Sequence, residues 1–173
     1  MILDIVSYPD PRLKTICKPV DSVDQDLRIL ADNMLETMYA APGVGLAAPQ
    51  VGRFIRMIVV DYSLKEEARM PRVLINPVLE LKGDLIISER EGCLSVPMGY
   101  RANVQRYSHV HLTARDLDWN LIDEELENFA AIVVQHETDH LDGVLFIDRI
   151  SRLKRTFFDS KVKKWKRRQN STA

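Results

Sequence analysis

The sequence has few of the features that are typical of secreted and membrane proteins. It has two cysteines in 173 residues, too few for a disulfide framework. No apolar run approaches the ~20 residues of a membrane-spanning helix. The chain starts Met-Ile-Leu-Asp, without the basic residues and apolar run of a secretory signal. These absences predict a cytoplasmic protein whose two thiols are free.

Net charge is nearly absent too, at −1, which argues against a general attraction to DNA or to a membrane. The charge is unevenly placed, however. Nine Lys and Arg lie between Arg152 and Arg168, with Asp159 as the only acid. Ser151 is a suitable N-cap for a helix in this segment. Helical spacing predicts that its basic face lies opposite an apolar stripe of Leu153, Phe157, Phe158, Val162 and Trp165.

Histidine is scarce, and two of the four histidines stand in the motif His-Glu-x-x-His. On a helix, His136 and His140 share a face and can bind one metal ion. Glu137 lies beside them and can act on a water bound to that metal. This pattern predicts hydrolysis of a substrate with an apolar side chain, because three apolar residues precede the motif on the same face: Phe129, Ile132 and Val133.

A catalytic metal site usually has a third protein ligand. No Glu follows Glu137, and Phe146 stands where extended His-Glu-x-x-His motifs have a third His, so neither common metallopeptidase pattern is complete. The ligand must therefore lie upstream, where the candidates are Cys93, His109 and His111. The two histidines alternate along a predicted strand, which favours an ordinary sheet face. Cys93 lies in a loop between a Gly and a Pro, and a Cys-His-His set would accept iron, zinc, nickel or cobalt.

The remaining pattern predicts an α+β fold with a mostly antiparallel sheet. Ser22 and Asp24 are candidate caps for an N-terminal helix running to about Ala41. Its buried stripe is Leu27, Leu30, Met34 and Met38. The motif helix is predicted from about Asn128 to Leu141. The predicted strands are Met57–Asp61, Val73–Asn76 stopped by Pro77, a hairpin of Val78–Leu81 and Leu85–Ser88, His109–Ala114, and Leu121–Glu125.

Three motifs together identify a family. Residues 43–50 read Gly-Val-Gly-Leu-Ala-Ala-Pro-Gln, residues 91–95 read Glu-Gly-Cys-Leu-Ser, and residues 135–140 read Gln-His-Glu-Thr-Asp-His. In this order and spacing they closely resemble the peptide deformylases, over nearly the whole chain. The resemblance implies a sheet wrapped around the motif helix, with an N-terminal and a C-terminal helix. It also implies a catalytic domain at residues 1–150 and a basic helix with a short tail at 151–173, packed on it.

The resemblance implies removal of the N-formyl group from the initiator methionine of new polypeptides, with release of formate. The implied metal ligands are Cys93, His136 and His140, holding Fe²⁺ in the cell and Zn²⁺, Ni²⁺ or Co²⁺ in preparations. Glu137 is implied as the proton carrier. The Gln50 amide and the Leu94 N–H are implied as oxyanion donors.

The same resemblance implies the substrate contacts. The peptide would lie along Gly43 and Gly45, and its methionine side chain would enter a pocket near Val44, Phe129, Ile132 and Val133. Arg101 aligns with a family arginine near the peptide path. Glu91 resembles a family residue that holds the active-site loop, and Asp139 is a candidate to orient a ligand histidine.

Three positions depart from the family pattern. One residue is added within Met98–Tyr100, Glu89 replaces an apolar pocket residue, and Asn120 replaces a turn glycine but tolerates the same left-handed conformation. A rival interpretation is a metal-binding module that contacts nascent chains or ribosomes without catalysis, and Glu137 and Gln50 argue against it. The basic helix adds a candidate ribosome contact through rRNA phosphates.

Overall fold

The computed structural model describes residues 1–63 and 68–171. Within these ranges, none of the helices is both long and apolar enough to cross a membrane. The described chain contains three α-helices and five β-strands, with short 3₁₀ turns between them. In chain order they are α1 (Gln25–Ala40), β1 (Gly45–Ala47), β2 (Met57–Val60), β3 (Arg72–Glu91), β4 (Ala102–Arg115), β5 (Leu121–Glu127), α2 (Asn128–Leu141) and α3 (Arg152–Ser171).

Helix α1 forms as its sequence predicts. The Asp24 carboxylate accepts a hydrogen bond from the Leu27 N–H at 2.8 Å and so satisfies one free donor of the first turn. The predicted stripe is confirmed, because Leu27, Leu30, Met34 and Met38 are all buried. This face packs on β1 and β2 and closes one side of the core.

The sheet is antiparallel throughout its five described strands, and its strand order follows the chain order. The predicted antiparallel sheet is therefore confirmed. The apolar face of the sheet packs on α2, with Ile58, Leu74 and Val110 among the residues buried against Val134. Strand β1 lies within residues 43–50 and forms one edge of the sheet.

The predicted stop at Pro77 and the predicted hairpin around Lys82–Asp84 are wrong. Strand β3 runs continuously through both places. Its register against β4 shifts between Ile75 and Val78 and again between Lys82 and Leu85. These bulges accommodate a residue without an N–H and a glycine at φ 73° without ending the strand.

Helix α2 follows β5 without a connecting loop. Strand β5 ends at Glu127 and the helix begins at Asn128, whose φ of 50° turns the chain between them. The helix then runs through the core and ends at Leu141, with Gly143 at φ 72° just beyond it. It is buried over most of its length, including His136 and His140.

Helix α3 packs on the body through Phe158 and Val162, which are buried in a cluster with Phe146. The predicted five-residue stripe is wrong at Leu153 and Phe157, which are 68% and 64% exposed. At ~100° per residue, these two side chains lie roughly 100° or more around the helix from the packed face. An apolar pair therefore lies on the solvent side of this basic helix.

Asn120 does not occupy the left-handed conformation of its turn. Trp119 does so instead, at φ 65°. Asp116 explains this arrangement, since its carboxylate accepts hydrogen bonds from the N–H groups of Asp118 and Asn120, both at 2.8 Å. The side-chain bonds fix the loop closely enough to hold a tryptophan at positive φ.

Candidate metal centre and active site

The two motif histidines lie one turn apart on α2, with both rings buried. Cys93 approaches them from the loop that follows β3, two residues beyond its end. Its Sγ lies 3.3 Å from the His140 Nε2. One ligand atom from each of Cys93, His136 and His140 falls within 4.8 Å of the others, and no other such cluster of three exists in residues 1–63 and 68–171.

The other two histidines do not join this cluster. They lie on the outer face of the sheet, as the alternation favoured. His109 pairs with Glu127 at 3.0 Å. His111 contacts Asp123 at 2.7 Å and Glu125 at 2.8 Å. Hydrogen bonding to Glu125, with the charges of both carboxylates, raises the pKa of His111.

Glu91 fixes the orientation of His136. Its Oε1 lies 2.7 Å from the His136 Nδ1, so the other ring nitrogen is left for the cluster. Arg106 holds the same carboxylate, with Nη2 at 2.5 Å and Nε at 3.2 Å. Burial by itself would raise the pKa of Glu91, but the hydrogen bonds from His136 and Arg106 outweigh it and lower the pKa to about 2. A stable carboxylate therefore lies behind the histidine.

His140 lacks such a partner. Its Nδ1 is buried without a hydrogen-bond partner in the described residues. Burial, together with the charge of His136, lowers the pKa of His140. A neutral imidazole is the form that binds a cation. The donor set consists of one thiol and two imidazoles, and one of these imidazoles is oriented by Glu91. Such a set fits a divalent transition metal.

Glu137 points into the same region. It is buried, and its Oε2 has no partner among the described residues. Burial raises its pKa to about 7. The β1 backbone lies in contact with it. A Cβ added to Gly45 would be only 2.7 Å from the Glu137 Cδ. Glycine at residue 45 thus leaves the space that the carboxyl group occupies.

Gln50 lies in the short 3₁₀ turn that follows β1. Its Oε1 accepts a hydrogen bond from the Ala47 N–H at 2.8 Å. Its Nε2 donates to the Ser95 hydroxyl at 3.0 Å and approaches the Cys93 Sγ at 3.5 Å. The amide is therefore held with its N–H₂ toward the cluster. The Leu94 N–H, in the same loop, donates no hydrogen bond within the described residues.

The residues predicted to line the methionine pocket differ in exposure. Val44 is 41% exposed and Phe129 is 37% exposed, whereas Ile132 is half-buried and Val133 is buried in the core. The outer edge of β1, which includes Gly45, pairs with no strand in the described part of the chain.

Two further residues predicted at the substrate site, Arg101 and Glu91, make contacts beside the cysteine loop. Arg101 donates to the Arg90 carbonyl at 3.1 Å. Its guanidinium covers Gly92, where a Cβ would lie 3.1 Å from the Arg101 Nη1. The carboxylate of Glu91 is occupied by its bonds to His136 and Arg106.

Sequence reasoning missed Ser95 and Arg106. Ser95 is fully buried and gives no signal beyond its place beside the cysteine. Arg106 did carry a signal, since Ala102, Val104 and Arg106 alternate on the inward face of β4. A charged residue in such a register must be paired in the core. The sequence placed Asp139 near a ligand histidine, but it contacts Arg106 and Arg149 instead.

Two histidines and a buried glutamate on a helix packed against an antiparallel sheet, with a cysteine from a neighbouring loop, form the arrangement of a metal-dependent hydrolase. The chain belongs to the polypeptide deformylase family, whose model matches residues 2–156. It is 50% identical to a peptide deformylase of Maricaulis maris over 163 residues, which cover 94% of this chain and 93% of that one. It is 48% identical to one from Pseudomonas aeruginosa over 168 residues, covering 97% and 98% of the two chains.

Solved structures agree with this assignment. A peptide deformylase from Legionella pneumophila superposes with a TM-score of 0.88 at 39% identity, covering 98% of each chain. One from Acinetobacter baumannii, solved with Met-Ala-Ser bound, gives a TM-score of 0.81 at 35% identity and covers 87% of this chain and 99% of that one. The chain is therefore an enzyme that removes the N-formyl group from new polypeptides. Its family is metal-dependent, and its candidate metal site is the cluster of Cys93, His136 and His140.

Proposed function

We propose that Cys93, His136 and His140 hold one catalytic divalent ion, Fe²⁺ in the cell, which Zn²⁺, Ni²⁺ or Co²⁺ can replace. The observation that carries this proposal is the convergence of three ligand atoms within 4.8 Å beside a buried carboxyl group that has no partner for its Oε2. The ion supplies two things when bound, activation of a water molecule and polarisation of the formyl carbonyl.

Glu137 carries the proton. Its carboxylate accepts a proton from the attacking water and later delivers one to the leaving amine. The formyl C–N bond breaks, a C–O bond to the water oxygen forms, and the products are formate and a free N-terminal methionine. The position of Glu137 beside the cluster and against the β1 edge supports this role.

Gln50 and Leu94 stabilise the charge that develops on the formyl oxygen. The Gln50 amide already directs its N–H₂ toward Cys93, held there by Ser95 and by Ala47. The Leu94 N–H is available in the same loop. Donors of this kind typically contribute ~10²–10³ each to the rate.

The peptide binds as an added strand on the free edge of β1, alongside Gly43 and Gly45. Its methionine side chain enters the apolar rim formed by Val44, Phe129 and Ile132, with Val133 beneath. The Met-Ala-Ser tripeptide bound by the Acinetobacter baumannii relative supports a substrate of this chemistry. Arg101 acts mainly on the cysteine loop, through the Arg90 carbonyl and Gly92.

Helix α3 contacts the ribosome, which would place this cytoplasmic enzyme beside emerging chains. Two observations support the contact. Lys163 and Lys164 are exposed on a helix rich in basic residues, and the exposed pair Leu153 and Phe157 adds apolar surface. Contacts to rRNA phosphates would weaken steeply with salt.

The activity test is formate release from formyl-Met-Ala-Ser by protein loaded anaerobically with Fe²⁺ or with Ni²⁺. We expect metal-dependent release, a loss of several orders of magnitude in Glu137→Ala, and no cleavage of internal peptide bonds. Glu125→Gln on the outer sheet face is the matched control and should behave as the parent does. Bound metal without formate release would instead favour a module that binds without catalysis.

The ribosome contact is tested by co-sedimentation at low and high salt. Lys163→Gln with Lys164→Gln should reduce binding, whereas Lys18→Gln with Arg53→Gln, a basic pair that is also exposed but lies outside α3, should not. These substitutions leave Phe158 in place, so the body of the enzyme keeps its core. Equal binding by both double variants would contradict the contact.

A further inference from the structure

A continuous chain of hydrogen bonds runs from His136, one of the three clustered side chains, to the protein surface. It passes through four further side chains whose charges alternate in sign. The His136 Nδ1 lies 2.7 Å from Glu91, and Glu91 accepts two hydrogen bonds from Arg106. The Arg106 Nη1 donates to Asp139 at 2.7 Å. Asp139 in turn accepts two hydrogen bonds from Arg149, both at 2.7 Å.

The middle of this chain is deeply buried and its outer end is not. The Arg106 side chain is 2% exposed and the Glu91 side chain is 6% exposed. The Asp139 side chain is 15% exposed and that of Arg149 is 43% exposed. A buried guanidinium is stable only when its N–H groups are paired, and here two carboxylates share them.

The geometry of Arg106 depends on both carboxylates. Asp139 takes Nη1, which leaves Nε and Nη2 to form a two-pronged contact with Glu91. Without a charged acceptor at residue 139, Nη1 would be left unsatisfied in the core and the guanidinium would turn to find one. The contact with Glu91 would then loosen, and with it the bond that orients His136.

We propose that Asp139 and Arg149 are positioning residues for the metal site, acting on His136 through Arg106 and Glu91. Asp139 forms no hydrogen bond to a ligand side chain, so its effect passes through the other two residues. Arg149 restrains Asp139 with a second fork of hydrogen bonds. The inference rests on the proposed assignment of His136 as a ligand.

The test measures metal affinity apart from activity. The dissociation constant for Co²⁺ is obtained by competition with a chelator, following the cobalt–thiolate absorption of Cys93. The free energy of unfolding of each metal-free variant is measured in urea. The variants are Asp139→Asn, Arg149→Ala and Arg149→Lys. Asp142→Asn is the control, because Asp142 lies at the same end of α2 and pairs with Arg56, outside the chain of contacts.

We expect Asp139→Asn to weaken Co²⁺ binding ~10–100-fold, the usual effect of losing support behind a ligand. Arg149→Ala should weaken it several-fold, Arg149→Lys should restore part of the loss, and Asp142→Asn should match the parent. Glu91→Gln combined with Asp139→Asn should weaken binding no more than Glu91→Gln alone, since both act through one contact.

Unchanged Co²⁺ affinity in Asp139→Asn and Arg149→Ala, with only a lower stability of the metal-free protein, would overturn the inference and leave a structural role alone. Failure of the ligand assignment has a different signature, because the parent itself would then give no cobalt–thiolate absorption.

Discussion

The Gly45 Cα and the Glu137 carboxyl group occupy one tightly packed space. A Cβ built on Gly45 would lie 2.7 Å from both Cγ and Cδ of Glu137, closer than two non-bonded carbons can approach. The β1 edge and the motif helix are thus in contact at the point where the proposed proton carrier projects. Glycine at residue 45 is a requirement of that contact.

Gly45→Ala should therefore displace Glu137. We expect kcat to fall ~10²-fold, the usual cost of about 1 Å of misplacement at a reacting group. Gly43→Ala is the comparison, because its Cβ would mainly meet the Leu94 Cδ1, the end of a flexible side chain. Formate release measures both, and an equal loss in the two variants would contradict the argument.

Ser95→Ala should lower kcat by acting on Gln50. The Ser95 hydroxyl accepts from the Gln50 Nε2 at 3.0 Å in a fully buried position, so its loss frees the amide to turn. We expect a smaller loss than the ~10²–10³ typical of removing an oxyanion donor. The double variant with Gln50→Ala should equal Gln50→Ala alone. Additive losses would show that Ser95 acts separately.

Phe157 and Phe158 are neighbours with opposite environments, at 64% and 1% exposure. Phe158→Ala should lower the free energy of unfolding by about 3–5 kcal/mol, since it opens a cavity beneath α3. Phe157→Ala should change it by less than about 0.5 kcal/mol. Urea unfolding of the two variants measures the difference. Similar midpoints would mean that α3 does not contribute to the folded core.

Asp61 should stabilise the fold in a pH-dependent way. Its carboxylate accepts hydrogen bonds from the Tyr39 hydroxyl at 2.6 Å and from the N–H and hydroxyl of Ser63. Burial would raise its pKa, but these bonds outweigh burial and lower it. A lowered pKa gives stability that is present above the unfolded value near 4 and is lost as the pH falls through the folded value.

We therefore expect Asp61→Asn to cost about 1–3 kcal/mol at pH 7, because it weakens charge-assisted hydrogen bonds in a buried site. The cost should shrink as the pH falls below 4. Urea unfolding at several pH values measures it, with the exposed Asp4→Asn as control. A cost that is independent of pH would contradict the role of the charge.

Local chemistry decided which parts of the fold the sequence could predict. Asp24 is a cap with its own acceptor, and the α1 and α2 stripes follow helical spacing, so both helices were predictable. Strand β3 was not predictable, because a proline or a glycine usually ends a strand. Pro77 and Gly83 are accommodated as bulges in the pairing with β4, which the local sequence does not indicate. The exposure of Leu153 and Phe157 was also not predictable. The apolar residues of α3 cover a wide part of its circumference, and the sequence does not indicate which part packs on the rest of the protein.

The candidate site divides in the same way. His136, Glu137 and His140 follow from one helical motif. Cys93 could be nominated from residues alone, but only the family resemblance selected it over the two sheet histidines. Ser95 accepts its hydrogen bond from Gln50, a residue far from it in the chain, and no spacing predicts that pair. The alternation on β4 indicates that Arg106 needs a partner in the core, but it does not indicate that the partner is Glu91.

The short connections between the strands and the three clustered side chains have a consequence for the proposed metal site. Cys93 follows the end of β3 by two residues, and the histidine helix begins where β5 ends. Both parts of the cluster are therefore attached to the same antiparallel sheet, Cys93 through β3 and the two histidines through β5. We infer that the fold holds the three ligand side chains in place before the proposed ion binds. We expect the metal-free protein to keep this fold, because the sheet and helix that carry the three side chains are held by their own pairing and packing.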